Sequence, residues 1–163
     1  MVAAHQSKKI AIVSLEGINL SSRYVLKEMS LRIEDENSCR HYIFNRPADL
    51  VLTAKDRKTE RFARNVLGAA GIDEYCTGSL EYYSHISILR SLQGYTIYCA
   101  GHVALKFLSA ILPDVEVYDI QEVAGHVFPK ELPHVWCGLN HNARYCALAK
   151  LWNMVFFMNN HFH

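Results

Sequence analysis

Lys9-Ile10-Ala11-Ile12-Val13-Ser14 is a short run of apolar and β-branched side chains, and Leu15-Glu16-Gly17 follows it. Such a run predicts a buried strand, because β-branched residues fit a pleated surface and a strand covered on both faces needs no polar alternation. Gly17, Asn19, Ser21 and Ser22 then break the pattern. Between Val25 and Ile33 the period becomes two: Met29, Leu31 and Ile33 alternate with Ser30 and Arg32. That predicts a second strand, apolar on one face and turned to solvent on the other. Glu34 to Ser38 reads as a charged turn, and Arg40 to Phe44 as a return strand stopped before Pro47. Three consecutive strands joined by short turns predict an antiparallel meander.

Downstream, helical spacing takes over. In Thr53 to Leu67, Phe62, Val66 and Leu67 recur among Lys and Arg, and Gly68 supplies a stop. Gly71 to Gly78 reads as loop and Leu80 to Leu92 as a helix. Tyr95 to Ala100 is an apolar strand bounded by Gly94 and Gly101. His102 to Leu112 is helical up to Pro113, and Val115 to Ile120 is a short strand. Gly125 to Leu139, with Pro129, Pro133 and Gly138, is irregular, and Asn142 to Met158 is a closing helix. A meander, a β–α–β unit and a final helix predict one α/β domain spanning residues 1–163, with its core over about residues 9–158.

The formal net charge of +1 gives no global pull toward nucleic acid or membrane, so any polyanion site must be a local basic face. No apolar run reaches the roughly 18 residues of a membrane span, and Met1 to Lys9 does not read as a secretory signal. The odd number of cysteines (Cys39, Cys76, Cys99, Cys137 and Cys146) does not suit a disulfide framework. It points to a reducing compartment, hence an intracellular protein, cytoplasmic or nuclear.

Three short stretches carry a family resemblance. The first strand ends Ser14-Leu15-Glu16-Gly17. The fourth runs into Ala100-Gly101-His102-Val103-Ala104-Leu105-Lys106. The closing helix opens with His141-Asn142-Ala143-Arg144-Tyr145-Cys146-Ala147. In that order they resemble the motifs of DEDD-type 3′–5′ exonucleases, which have a ribonuclease H-like mixed sheet. In those enzymes a set of carboxylates holds two metal ions that activate water and stabilise the leaving oxygen. Here Ser14, Lys106 and Cys146 stand at three of the four carboxylate positions, and only Glu16 remains. One glutamate beside a lysine is a poor cradle for a magnesium or manganese pair, so conventional exonuclease action is not expected.

Cys137, His141 and Cys146 lie within ten residues of one another, and Glu16 is expected to face them. Thiolate, imidazole and carboxylate are all zinc ligands. This set resembles the Maelstrom domain, a ribonuclease H-like relative in which exonuclease residues give way to zinc ligands. The resemblance implies a zinc site at Glu16, Cys137, His141 and Cys146. It also implies single-stranded nucleic acid, RNA in preference to DNA, as the ligand, and protein partners in a small-RNA pathway. Lys106, Arg57, Lys58 and Arg61 are the candidate phosphate contacts. Two other functions stay open at this point: a metal-altered or metal-independent ribonuclease using Glu16 and His141, and a protein-interaction scaffold.

Each residue also has a plainer reading. Cys146 suits an ordinary buried cysteine, His141 a capping residue and Glu16 a solvated strand end. Lys106 suits an exposed helix lysine, and the segment from Lys55 to Arg64 a mixed-charge solvated helix diluted by Asp56 and Glu60. Tyr82 and Tyr83 suit core packing, although stacking on bases is the sharper alternative.

Overall fold

A computed structural model describes residues 9–36, 38–74, 78–124, 139, 141–142 and 145–161. A five-stranded sheet is built from β1 (Lys9–Asn19), β2 (Tyr24–Ile33), β3 (Arg40–Ile43), β4 (Tyr95–Cys99) and β5 (Val117–Asp119), in the order β3-β2-β1-β4-β5. β3, β2 and β1 pair antiparallel; β1, β4 and β5 pair parallel. The helices are α1 (Ala54–Phe62), continued by a π-helical turn over Ala63–Leu67, α2 (Ser84–Arg90), α3 (His102–Ile111), α4 (Ile120–Ala124) and α5 (Ala147–His161). This is the α/β mixed sheet, meander plus parallel strands, expected of a ribonuclease H-like domain.

The first strand runs five residues beyond Ser14, through Gly17. β1 shifts register between Glu16 and Gly17, and β2 returns close beside it. A Cβ on Gly17 would lie 2.2 Å from the Val25 carbonyl oxygen and 2.8 Å from the Tyr24 ring. The glycine that reads as a breaker is instead the residue that lets the hairpin close through a bulge. α2 begins later than expected, at Ser84, because Leu80 bridges to Phe44 at the sheet edge. α5 likewise begins at Ala147 rather than Asn142.

One face of the sheet is an apolar layer. Ala11, Val13, Met29, Leu31, Ile97 and Cys99 pack there with Leu89, Ala104, Leu108 and Tyr82. The opposite face meets α5. At one end of it Ile12 packs with Ile120, Leu151, Met154 and Met158. At the other end lie Ser14, Glu16, Glu28 and Ser30, paired Ser14 to Ser30 and Glu16 to Glu28. The polar alternation of β2 was expected to face solvent. Instead Glu28 and Ser30 are fully buried, because α5 packs over β1 and β2.

α1 is set in place by a capping box between Thr53 and Asp56. Asp56 also accepts hydrogen bonds from the backbone N–H and hydroxyl of Ser21, tying the helix start to the β1–β2 turn. The Ser21 and Thr53 donors hold its carboxyl below the usual carboxylate range.

Candidate metal centre

Cross-strand neighbours in a sheet stand about 5 Å apart at Cβ, so pairing Glu16 with Glu28 sets two carboxylates side by side under α5. Both are shielded from water, and each is matched by a residue from the α5 segment. Lys150, in the first turn of α5, ion-pairs with Glu16. His141, just before the helix, places Nε2 2.7 Å from Glu28 Oε2.

Glu28 is the hub. Its Oε1 accepts the backbone N–H of Ala147 at 3.3 Å, capping the positive end of α5. The same oxygen lies 4.0 Å from Cys146 Sγ and 3.6 Å from His41 Nε2. The ligand atoms of Glu28, His141 and Cys146 all lie within 4.8 Å of one another. Zinc holds such donors at about 2.0–2.3 Å, which spaces tetrahedral ligands roughly 3.3–3.8 Å apart. The three groups therefore lie close enough to bind a metal ion, and their chemistry, one carboxylate, one imidazole and one thiol, is a zinc donor set.

Protonation follows from the same packing. Burial on its own would push His141 down. Hydrogen bonds to Cys146 and Glu28, with their negative charge, outweigh burial and bring the imidazole up to about 10. Without a metal, His141 is thus an imidazolium between an acid and a thiol, and a metal ion must displace its proton. Burial is also the main influence on Glu16; Lys150 pulls its carboxyl back only partway, leaving it at about 7.

The candidate ligands divide accordingly. His141 and Cys146 come together as expected. Glu16 lies on the same face, but Lys150 reaches its carboxylate first, and Glu28 is the acid that meets His141 and Cys146. Cys137 lies outside the described residues. Lys106 is exposed, because Ala104 and Leu108 are the buried residues of α3 and position 106 falls on the opposite side of the helix. The cation beside Glu16 is therefore Lys150, not Lys106.

Glu28 escapes a reading of the sequence because Ser30 and Arg32 share its parity and make that row look like a solvent face. One signal was there: the apolar closing helix needs a sheet face to cover, and the other face is already filled.

Arg57, Lys58 and Arg61 are exposed on α1 and line a broad open groove of about 840 Å³ with Arg46 and Arg64. The acids of that groove are already engaged. Asp73 meets Arg46 at 3.3 Å, Glu60 meets Arg64 at 3.6 Å, and Glu74 accepts the Gly71 N–H at 3.3 Å. Tyr82 is core, 2 % exposed, and its hydroxyl accepts the Leu26 N–H. Tyr83 is partly exposed, with its hydroxyl donating to Asp49.

Fold and site together define an α/β mixed-sheet domain with a buried Glu–His–Cys donor set and a separate basic groove. No family model, curated protein or solved structure matches this chain. Among the described residues, no helix is long and apolar enough to cross a membrane.

Proposed function

We propose that this chain is a single-stranded nucleic-acid-binding domain, with RNA as its preferred ligand, in which a structural zinc ion closes the cleft that a related exonuclease would use for catalysis. The observation that carries the reading is the α1 groove: Arg57, Lys58 and Arg61 line it without an ion pair to any described carboxylate. With a net charge of only +1, affinity for a polyanion has to come from such a local surface. Lys106 is a further exposed cation, on α3, outside this groove.

Zinc suits the second part of the reading. Glu28, His141 and Cys146 are the residues that would hold it, and the ion would supply cross-linking between β2 and the start of α5 rather than a reacting centre. The His141 side chain is 3 % exposed and Cys146 1 %. A general base has to come within hydrogen-bond reach of the proton it takes from a substrate, and this burial speaks against His141 in that role. A reducing compartment belongs to the same proposal, because Cys146 must remain a free thiol to ligate.

The test is titration of labelled single-stranded and double-stranded oligonucleotides at two salt concentrations. Three phosphate contacts to a single strand give a slope of log affinity on log salt of about −2. Arg57→Ala/Lys58→Ala/Arg61→Ala should flatten that slope and weaken binding by at least roughly tenfold at low salt. Unchanged binding by the triple variant would remove the groove from the account.

A further inference from the structure

We infer that metal occupancy at Glu28, His141 and Cys146 controls the shape of the basic groove, through the contact between Asn142 and Gly68. The inference deepens the nucleic-acid reading and rests on it.

The two sites are joined by a short run of backbone. Asn142, the residue after His141, donates its backbone N–H to the Gly68 carbonyl at 2.7 Å. Gly68 ends the π-helical turn that continues α1, with φ 77° in the left-handed region. The approach is close, since a Cβ there would sit 3.1 Å from Asn142 Cβ, and a side chain at this φ would be strained as well. From Gly68 the chain leads straight to the groove. Ala69 and Ala70 line a small space with Glu16 and Glu28, and Ala70 packs on Ile43 and Leu139. Gly71 then lies against the Glu60 and Arg64 side chains, and it lines the groove with them.

Among the described residues, Ala63 is the member of the π-helical turn that packs against the core. None of Ala63–Leu67 is buried, and Val66 is 67 % exposed. π-helical turns of this kind are often found at functional positions. Its placement rests on α1 and the Ala63 packing at one end and on the Gly68–Asn142 contact at the other. Coordination of His141, the residue before Asn142, together with Cys146 and Glu28 would tie this end of the contact to β2. A ligand shifts a conformational equilibrium by its differential affinity for the two states, and here the metal favours the state in which Asn142 grips Gly68. By reciprocity, an oligonucleotide in the groove tightens metal binding by the same factor.

The experiment compares zinc-loaded wild type, wild type stripped with chelator, and zinc-loaded Gly68→Ala. A labelled oligouridylate at low salt is the probe, and amide hydrogen exchange over residues 63–70 is a second readout. Stripping should weaken oligouridylate binding about tenfold, within the usual range of coupling between sites, and speed exchange across residues 63–70. Gly68→Ala should keep one zinc per chain and still bind as weakly as stripped wild type. Equal affinities for loaded and stripped protein overturn the coupling, as does full affinity in zinc-loaded Gly68→Ala. If stripping unfolds the chain, the Gly68→Ala arm decides. If loaded wild type ignores the oligouridylate even at low salt, the nucleic-acid reading fails by itself. The coupling is then judged on exchange, and unchanged protection after stripping overturns it.

Discussion

The two faces of the sheet are built on opposite principles. The α2–α3 face is a largely apolar layer, in which Val13, Met29, Leu31 and Leu108 meet; it also buries Lys27, whose Nζ donates to the Phe44 and Ile72 carbonyls, and, at its β5 edge, Asp119, which accepts the Gly101 and Gln121 backbone N–H groups. The α5 face is apolar only at one end, and at the other it buries the Glu28 carboxylate, an imidazole and a thiol, beside the part-buried pair of Glu16 and Lys150. Apolar burial is non-directional and tolerates exchange of one hydrophobe for another. Buried charge is costly unless every group meets its partner in the right geometry. The difference separates a layer that exchange of one hydrophobe for another leaves standing from a cluster whose groups need fixed partners.

The largest expected effect follows from that asymmetry. Glu28→Ala leaves His141 and the Ala147 N–H without their acceptor. It should cost about 3–5 kcal/mol in urea unfolding, the usual penalty for breaking a buried pair. Met29→Leu, the adjacent residue pointing to the apolar face, should cost less than about 1.5 kcal/mol. Similar costs for the two would erase the contrast between the faces.

A cavity test comes next. Leu108→Ala on the apolar face should destabilise by roughly 2–5 kcal/mol and leave metal content per folded chain unchanged. Loss of metal there would mean that the faces are not independent.

The faces should also respond to pH with opposite signs. On the α5 face of metal-free protein, Glu16 is raised from 4.5 to about 7 and His141 from 6.5 to about 10. A group whose pKa rises on folding binds its proton more tightly in the native state. Its contribution is complete below the ordinary value and is lost as pH climbs through the folded one. Stability should therefore fall between pH 4.5 and 7 through Glu16 and between 6.5 and 10 through His141. On the apolar face, burial pushes His85 below 6.5, with its Nδ1 2.6 Å from the Tyr82 carbonyl oxygen. Its contribution is complete above 6.5 and is lost as pH falls through the lowered value. Urea midpoints measured against pH in chelator should show the loss between pH 4.5 and 7 shrink in Glu16→Gln and the acid loss shrink in His85→Phe.

The smallest effect on stability belongs to the groove. Arg57→Ala, Lys58→Ala and Arg61→Ala should each change unfolding free energy by no more than about 0.5 kcal/mol, as exposed positions do, while weakening oligonucleotide binding.

The apolar face was the legible one. Ile10 to Val13, Met29 to Ile33 and Tyr95 to Cys99 announce strands by composition and period alone, and the mixed sheet follows from their order. His141 and Cys146 were reachable through their spacing before the last helix. The acid that completes them was not, because the sequence around Glu28 shows only that its parity is polar. Whether a polar row meets water or a helix is decided by tertiary packing, and α5 comes from more than a hundred residues downstream. Lys150 was missed for the same reason: nothing local says that it will neutralise Glu16. Gly17 misled in the other direction, since a glycine marks both strand ends and the bulges inside strands.

The central claim is that Glu28, rather than Glu16, joins His141 and Cys146 around a zinc ion. It is tested most directly by metal analysis of purified wild type, Glu28→Gln, Glu16→Gln and Cys146→Ser. One zinc per chain in wild type and Glu16→Gln, lost in Glu28→Gln and Cys146→Ser, is the predicted result. Zinc retained in full by Glu28→Gln, or absent from wild type purified without chelator, would contradict it.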